Sequence, residues 1–172
     1  LAVATDRGAS GEELLCAVAV GLESAVRIAD AFNPPALRAH GWHAPGVVGP
    51  LSAALACSHL LDLDATQTRH ALGLAGSQSS GTFAAWGTPT VKFHQARGAL
   101  AGVLSAHLAA QGFTSSADVF GAPDGGLLSV YSDGGRPERV TDHLGGSWRM
   151  GGLSLRRWPT PHVNVVAAIL EL

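Results

Sequence analysis

From Gly11 to about Phe32, apolar residues recur at Leu14, Leu15, Val18, Leu22, Val26 and Ile28, the spacing of one helix face. Ser10 with Glu13 three residues on reads as a capping-box start, residues 1 to 5 as the tail of an earlier helix, and Asn33-Pro34-Pro35 as the stop. Gly41, Pro45, Gly46 and Pro50 then break the pattern, and from roughly Val47 to Leu61 small and apolar residues line more than one side. That composition predicts a buried helix. Asp64 with Gln67 opens a further capped helix, which fades between Gly73 and Gly76 and should pair antiparallel with its predecessor across a short connection. Ser77 to Thr90 reads as a further helix start broken by a Gly-Thr-Pro loop, and Val91 to Gly112 as a long Ala/Gly/Leu helix closing on Gly112.

Beyond Gly112 the pattern changes to short helical pieces between Gly-Gly, Pro and Asp turns. SWRMGGLSLRRWP alternates as a strand pair or an extended crossing segment would, and VNVVAAILEL reads as a last helix without a stop signal. The expected fold is mainly α, a helical domain over residues 1–113 leading into an α+β region over 114–172. With Leu1 opening directly on an apolar run, the ends are those expected of an internal part of a longer polypeptide.

Composition narrows the function. A chain of 172 residues, 47% hydrophobic and only 14% charged, has the length of one ordinary domain and a large buried fraction. Its net charge of −2 gives no general attraction for nucleic acid or an anionic membrane. No apolar run is long enough for a membrane helix and no signal-peptide pattern opens the chain, so the cytoplasm is the expected compartment. Cys16 and Cys57 both fall within apolar helical patterns and are expected to be buried free thiols.

Three loop-to-helix junctions carry the candidate chemistry. His43 precedes a helix N-terminus, where unpaired N–H groups and the helix dipole favour an anion; its plain alternative is a loop histidine that only packs or meets water. His40 and His43 form HxxH, but the Gly and Pro residues deny them a helix face and no third ligand lies nearby, so no metal is expected. Lys92 and His94, with Arg97 one turn on, sit where a Pro-containing loop enters a helix, a place the dipole disfavours for cations unless an anion arrives. Arg156, Arg157 and His162 bracket Trp158 and Pro159 before the last helix, and a guanidinium suits a carboxylate better than an ammonium does. Convergence of these groups on an organic polyacid is the expectation.

GWHAPGVVGPLSAALACSHLLDLDATQTRHALGLAGSQSSG, TVKFHQARGALAGVLSAHLAAQGFT and LSLRRWPTPHVNVVAAILEL together resemble the MmgE/PrpD family, which includes 2-methylcitrate dehydratase, cis-aconitate decarboxylase and iminodisuccinate epimerase. The resemblance implies part of a two-domain enzyme, an all-helical domain over 1–113 and the start of an α+β lid over 114–172. It also implies a homodimer without metal or organic cofactor, acting on a small di- or tricarboxylate as a dehydratase-like lyase. An epimerase and a non-catalytic binding module are the alternatives. His43 matches the family's active-site histidine; the family's lysine falls on Val91, with Lys92 its neighbour; its second-domain lysine falls on Arg156, and a later histidine falls on Val165. His43 and Lys92 are therefore the expected catalytic residues, and His94, Arg156, Arg157 and His162 the expected substrate-binding ones. The family's upstream Asp/His motif is not among these residues, so they are not expected to turn over alone.

Overall fold

A computed structural model describes residues 1–155. Eight helices follow one another: α1 (Ala2–Arg7), α2 (Gly11–Ala31), α3 (Pro34–Ala39), α4 (Ala44–Leu60), α5 (Ala65–Gly76), α6 (Thr90–Ala110), α7 (Leu127–Ser132) and α8 (Glu138–Thr141), with single 3-10 turns at Phe83–Ala85 and Met150–Gly152. Both expected capping boxes form, Ser10 with Glu13 on α2 and Asp64 with Gln67 on α5. Gly112, at φ +83°, closes α6. A mainly α architecture is what the patterning anticipated.

α4 is the central element, packed by α2, α5 and α6, and Val47, Leu51, Ala54 and Leu60 on it are buried. A first core gathers Ile28, Phe32, Leu37, Val47, Leu51, Leu127, Leu128 and Tyr131; a second gathers Val3, Ala4, Ala17, Cys57, Leu60 and Ala106. The helix begins before Val47, where sequence reading placed it, because Pro45 falls in the first turn, whose N–H groups need no intrahelical partner. Pro50, inside the helix, cannot donate to the Gly46 carbonyl. That carbonyl instead accepts the Ser80 N–H at 3.1 Å, so the loop before α6 is fastened to α4 through the vacancy. α6 approaches α4 closely at Gly102, where a Cβ would lie 2.6 Å from the Ala54 nitrogen. Gly102→Ala is expected to destabilise the protein by about 1–3 kcal/mol through overpacking. Gly11→Ala, in open space, should be near neutral; urea midpoints of the two variants check the contrast.

Several expectations are corrected. Leu15, Val18 and Leu22 stand 70%, 48% and 41% exposed, and the buried side of α2 carries Glu23 and Arg27 with Ile28. These two charges can be buried because they satisfy each other, Arg27 Nε donating to Glu23 Oε1 at 2.6 Å, and because both reach a distant backbone. Arg27 donates to the carbonyls of Asp142 (2.7 Å) and Ser147 (3.0 Å), and Glu23 Oε2 accepts the N–H groups of Arg149 and Met150, both at 2.8 Å. The segment expected to alternate as strands is, as far as it is described, a turn and a 3-10 helix held by these bonds; a strand would have turned the same N–H groups to a neighbouring strand. Cys16 is exposed and only Cys57 is buried. Asn33-Pro34-Pro35, read as a stop, also starts α3, since proline suits a first helical turn. Among the described residues no helix is long and apolar enough to cross a membrane.

Candidate active site

His43 is the N-cap residue of α4, with extended backbone that leaves its side chain free to turn away from the helix axis. The segment before it is pinned to the loop before α6: Trp42 bridges antiparallel to Thr82, His43 N–H donates to the Gly81 carbonyl at 2.9 Å, and Phe83 N–H donates to Gly41 at 2.7 Å. His94 lies near the start of α6. The α4–α6 packing brings the two imidazoles together, Nδ1 to Nδ1 at 3.1 Å, with His43 6% and His94 8% exposed.

Gly81 is required where the rings meet. Its φ of +129° is a conformation that side chains rarely adopt, and a Cβ there would lie 2.9 Å from His94 Nδ1. The loop is held from two further sides. Arg97 donates to the Gln78 and Ser80 carbonyls, and Tyr131, packed edge-on against Trp42 at 4.7 Å, donates its hydroxyl to the Ser79 carbonyl. Phe83 and Trp86 stack at 4.9 Å, and His43 stands edge-on to both, 6.1 Å from Phe83 and 6.5 Å from Trp86.

A contact between two Nδ1 atoms requires one ring to donate and the other to accept, so the pair holds one proton between the facing nitrogens and disfavours a second charge. Each ring keeps Nε2 outside this contact. Burial, then the charges of His94 and Lys92, holds His43 below the ordinary histidine range. The folded state therefore takes up that proton less readily than the unfolded chain, so stability is unaffected above about pH 6.5 and declines as pH falls below it. In a carbon–proton NMR titration His43 is expected to change charge below that value. His94→Ala should move the midpoint upward only part of the way, because burial is the larger cause.

Of the sequence candidates, His43 and His94 are in contact, and Lys92 is exposed on α6 with its charge felt at His43. Arg97, grouped with them by sequence, has its guanidinium directed to loop carbonyls. Arg156, Arg157, His162 and Val165 lie outside the described residues. Phe83 and Trp86 were missed; their only signal was two large aromatic residues in an otherwise small-residue loop. Among the described residues no cluster of three or more His, Cys, Asp or Glu side chains could hold a metal ion. Two cavities lie elsewhere among the described residues. One of about 850 Å³ is an apolar groove between α2 and α6 over α4, and one of about 480 Å³ surrounds Arg27 and Trp148.

Residues 1–140 match the sequence profile of the MmgE/PrpD N-terminal domain. The chain is similar to the cis-aconitate decarboxylase-like protein oryM of Aspergillus oryzae, 34% identical over 154 residues that cover 86% of this chain and 32% of that protein. It is 32% identical to the cis-aconitate decarboxylase of Aspergillus terreus over 81% of this chain and 30% of that one. It is 34% identical to the cis-aconitate decarboxylase of Homo sapiens over 64% of this chain and 23% of that one. The chain thus spans about a third or less of the length of the curated relatives it matches.

Proposed function

Because this chain belongs to the MmgE/PrpD family, we propose that it forms part of a lyase acting on a di- or tricarboxylate, with the His43–His94 pair handling the proton at the carbon next to a carboxylate. The observation that carries the reading is the contact of two buried imidazoles. One ring can take or give a proton at Nε2 while its Nδ1 exchanges with the other ring, so charge is passed on without two imidazolium ions facing each other. In a dehydration, a base removes the α-proton and hydroxide leaves as water. In a decarboxylation, the carbon–carbon bond to a carboxylate breaks, carbon dioxide leaves, and the electron pair left on carbon is protonated by an imidazolium. Lys92 supplies positive charge for the enolate-like intermediate, and Arg156, Arg157 and His162 remain the proposed carboxylate-binding groups.

The similarity to cis-aconitate decarboxylases puts cis-aconitate first among the substrates to try, ahead of 2-methylcitrate. An epimerase needs proton-handling groups on opposite faces of one carbon. Two rings in contact at 3.1 Å favour the lyase over that alternative. The test is proton NMR in D₂O of the complete gene product with cis-aconitate, 2-methylcitrate, citrate and an iminodisuccinate analogue. A decarboxylated product carrying one solvent deuterium is expected from cis-aconitate, or, for a dehydratase, an alkene product with deuterium exchanged into the recovered 2-methylcitrate or citrate at the α-carbon. Inversion of the iminodisuccinate analogue alone would select the epimerase, and no exchange with any substrate would leave the binding module.

A further inference from the structure

His43, Phe83, Trp86, Lys92 and His94 come from two stretches without a carboxylate: no Asp or Glu lies between Asp30 and Asp62, nor between Asp64 and Asp118. Elsewhere in the fold arginines meet acids, Arg7 with Asp62, Arg27 with Glu23, and Arg136, Arg139 and Arg149 with Asp30. Arg38 differs. Its guanidinium carbon lies over the Phe83 ring, 3.5 Å from the centroid, and among the described residues its side chain has no carboxylate or carbonyl partner. The plain reading of this arginine is a surface cation at the end of α3, where the dipole favours one. That reading explains the charge but not the close seat over a ring that also flanks His43.

Stacking holds a guanidinium by its face and leaves the N–H groups along its edge pointing outward, the orientation in which they grip a carboxylate with two parallel bonds. One aromatic ring separates this edge from His43. We propose that Arg38 is a substrate-binding residue that takes a carboxylate remote from the reacting carbon, so that the site selects polyacids over monoacids. The proposal rests on the carboxylate reading above and names which part of the substrate is recognised. Phe83 then acts in two directions, seating the guanidinium on one side and walling His43 on the other.

The experiment measures binding by quenching of tryptophan fluorescence in the complete gene product, with tricarballylate as an unreactive tricarboxylate and butyrate as the monoacid. Arg38→Ala is expected to weaken tricarballylate about tenfold or more and leave butyrate unchanged, since a charge-assisted pair is lost for one ligand only. Arg38→Lys should recover part of the loss, because an ammonium lacks the fork. Arg69→Ala, an exposed cation on α5 in the second acid-free stretch, should bind as the parent does. Thermal melting compares the folding of the three variants. With any substrate that turns over, Arg38→Ala should raise KM and leave kcat within a few-fold.

Tricarballylate binding within twofold of the parent in Arg38→Ala, an equal loss for butyrate, or an equal loss in Arg69→Ala would each overturn the role of Arg38. If the parent turns over a carboxylate while Arg38→Ala binds normally, only this inference fails. If the parent neither binds nor exchanges any carboxylate, the functional reading falls with it.

Discussion

His43→Ala in the complete gene product is expected to lower turnover and deuterium exchange by about 10²- to 10⁴-fold, the usual worth of a positioned acid–base group. The loss should appear in kcat, because the imidazole is asked to act on the bond change rather than to hold the substrate. The side chain is nearly buried, so the variant also leaves a small cavity and a lower melting temperature. His43→Gln, closer in volume, separates the two effects by recovering melting temperature without recovering turnover. His94→Ala should fall in the same range. The double variant distinguishes a unit from two independent groups: if the rings act together across their 3.1 Å contact, it should be little worse than His43→Ala alone. Multiplying losses would mean that each histidine works separately.

Arg27→Ala is expected to cost about 3–5 kcal/mol, the largest stability effect of any single change considered, because it strands Glu23 as an unpaired buried charge. Many buried pairs can be replaced by apolar residues of similar volume with little loss. This one should resist such replacement, since Glu23→Leu/Arg27→Met would also orphan the carbonyls of Asp142 and Ser147 and the N–H groups of Arg149 and Met150. Urea unfolding of the single and double variants tests this; recovery to parental stability in the double variant would show that the backbone bonds contribute little. Burial alone would raise the carboxyl pKa of Glu23, but the backbone N–H groups of Arg149 and Met150 and then the Arg27 guanidinium outweigh it and hold the group below the ordinary range. The stabilisation is therefore present at neutral pH and lost as acid protonates the carboxylate.

Local signals were read well from sequence where the physics is local. Ser10 with Glu13, Asp64 with Gln67 and Gly112 each act within a turn of their own helix, and they appear where spacing placed them. His43 on a loop feeding a helix followed from Gly and Pro punctuation in the same way. The errors occur where partners are far apart along the chain. Periodicity marked an apolar face on α2 but not which side is buried, since the burial of Glu23 and Arg27 was decided by groups more than a hundred residues away. His94 could be suspected near a helix start, but its contact with His43 depends on how α4 and α6 pack. The seating of Arg38 on Phe83 and the stacking of Phe83 on Trp86 depend on a loop held by Gly46, Tyr131 and Arg97, none of which signals the others in sequence.

Pro50 has a consequence for motion. The carbonyl it leaves vacant in α4 is filled by the Ser80 amide, so the first turns of that helix and the loop that walls His43 share a bond. Neither can open without exposing an unsatisfied group on the other, and the two form one cooperative unit of local unfolding. Opening of the loop beside the histidines is therefore expected to be coupled to opening of the first turns of α4 rather than independent of it.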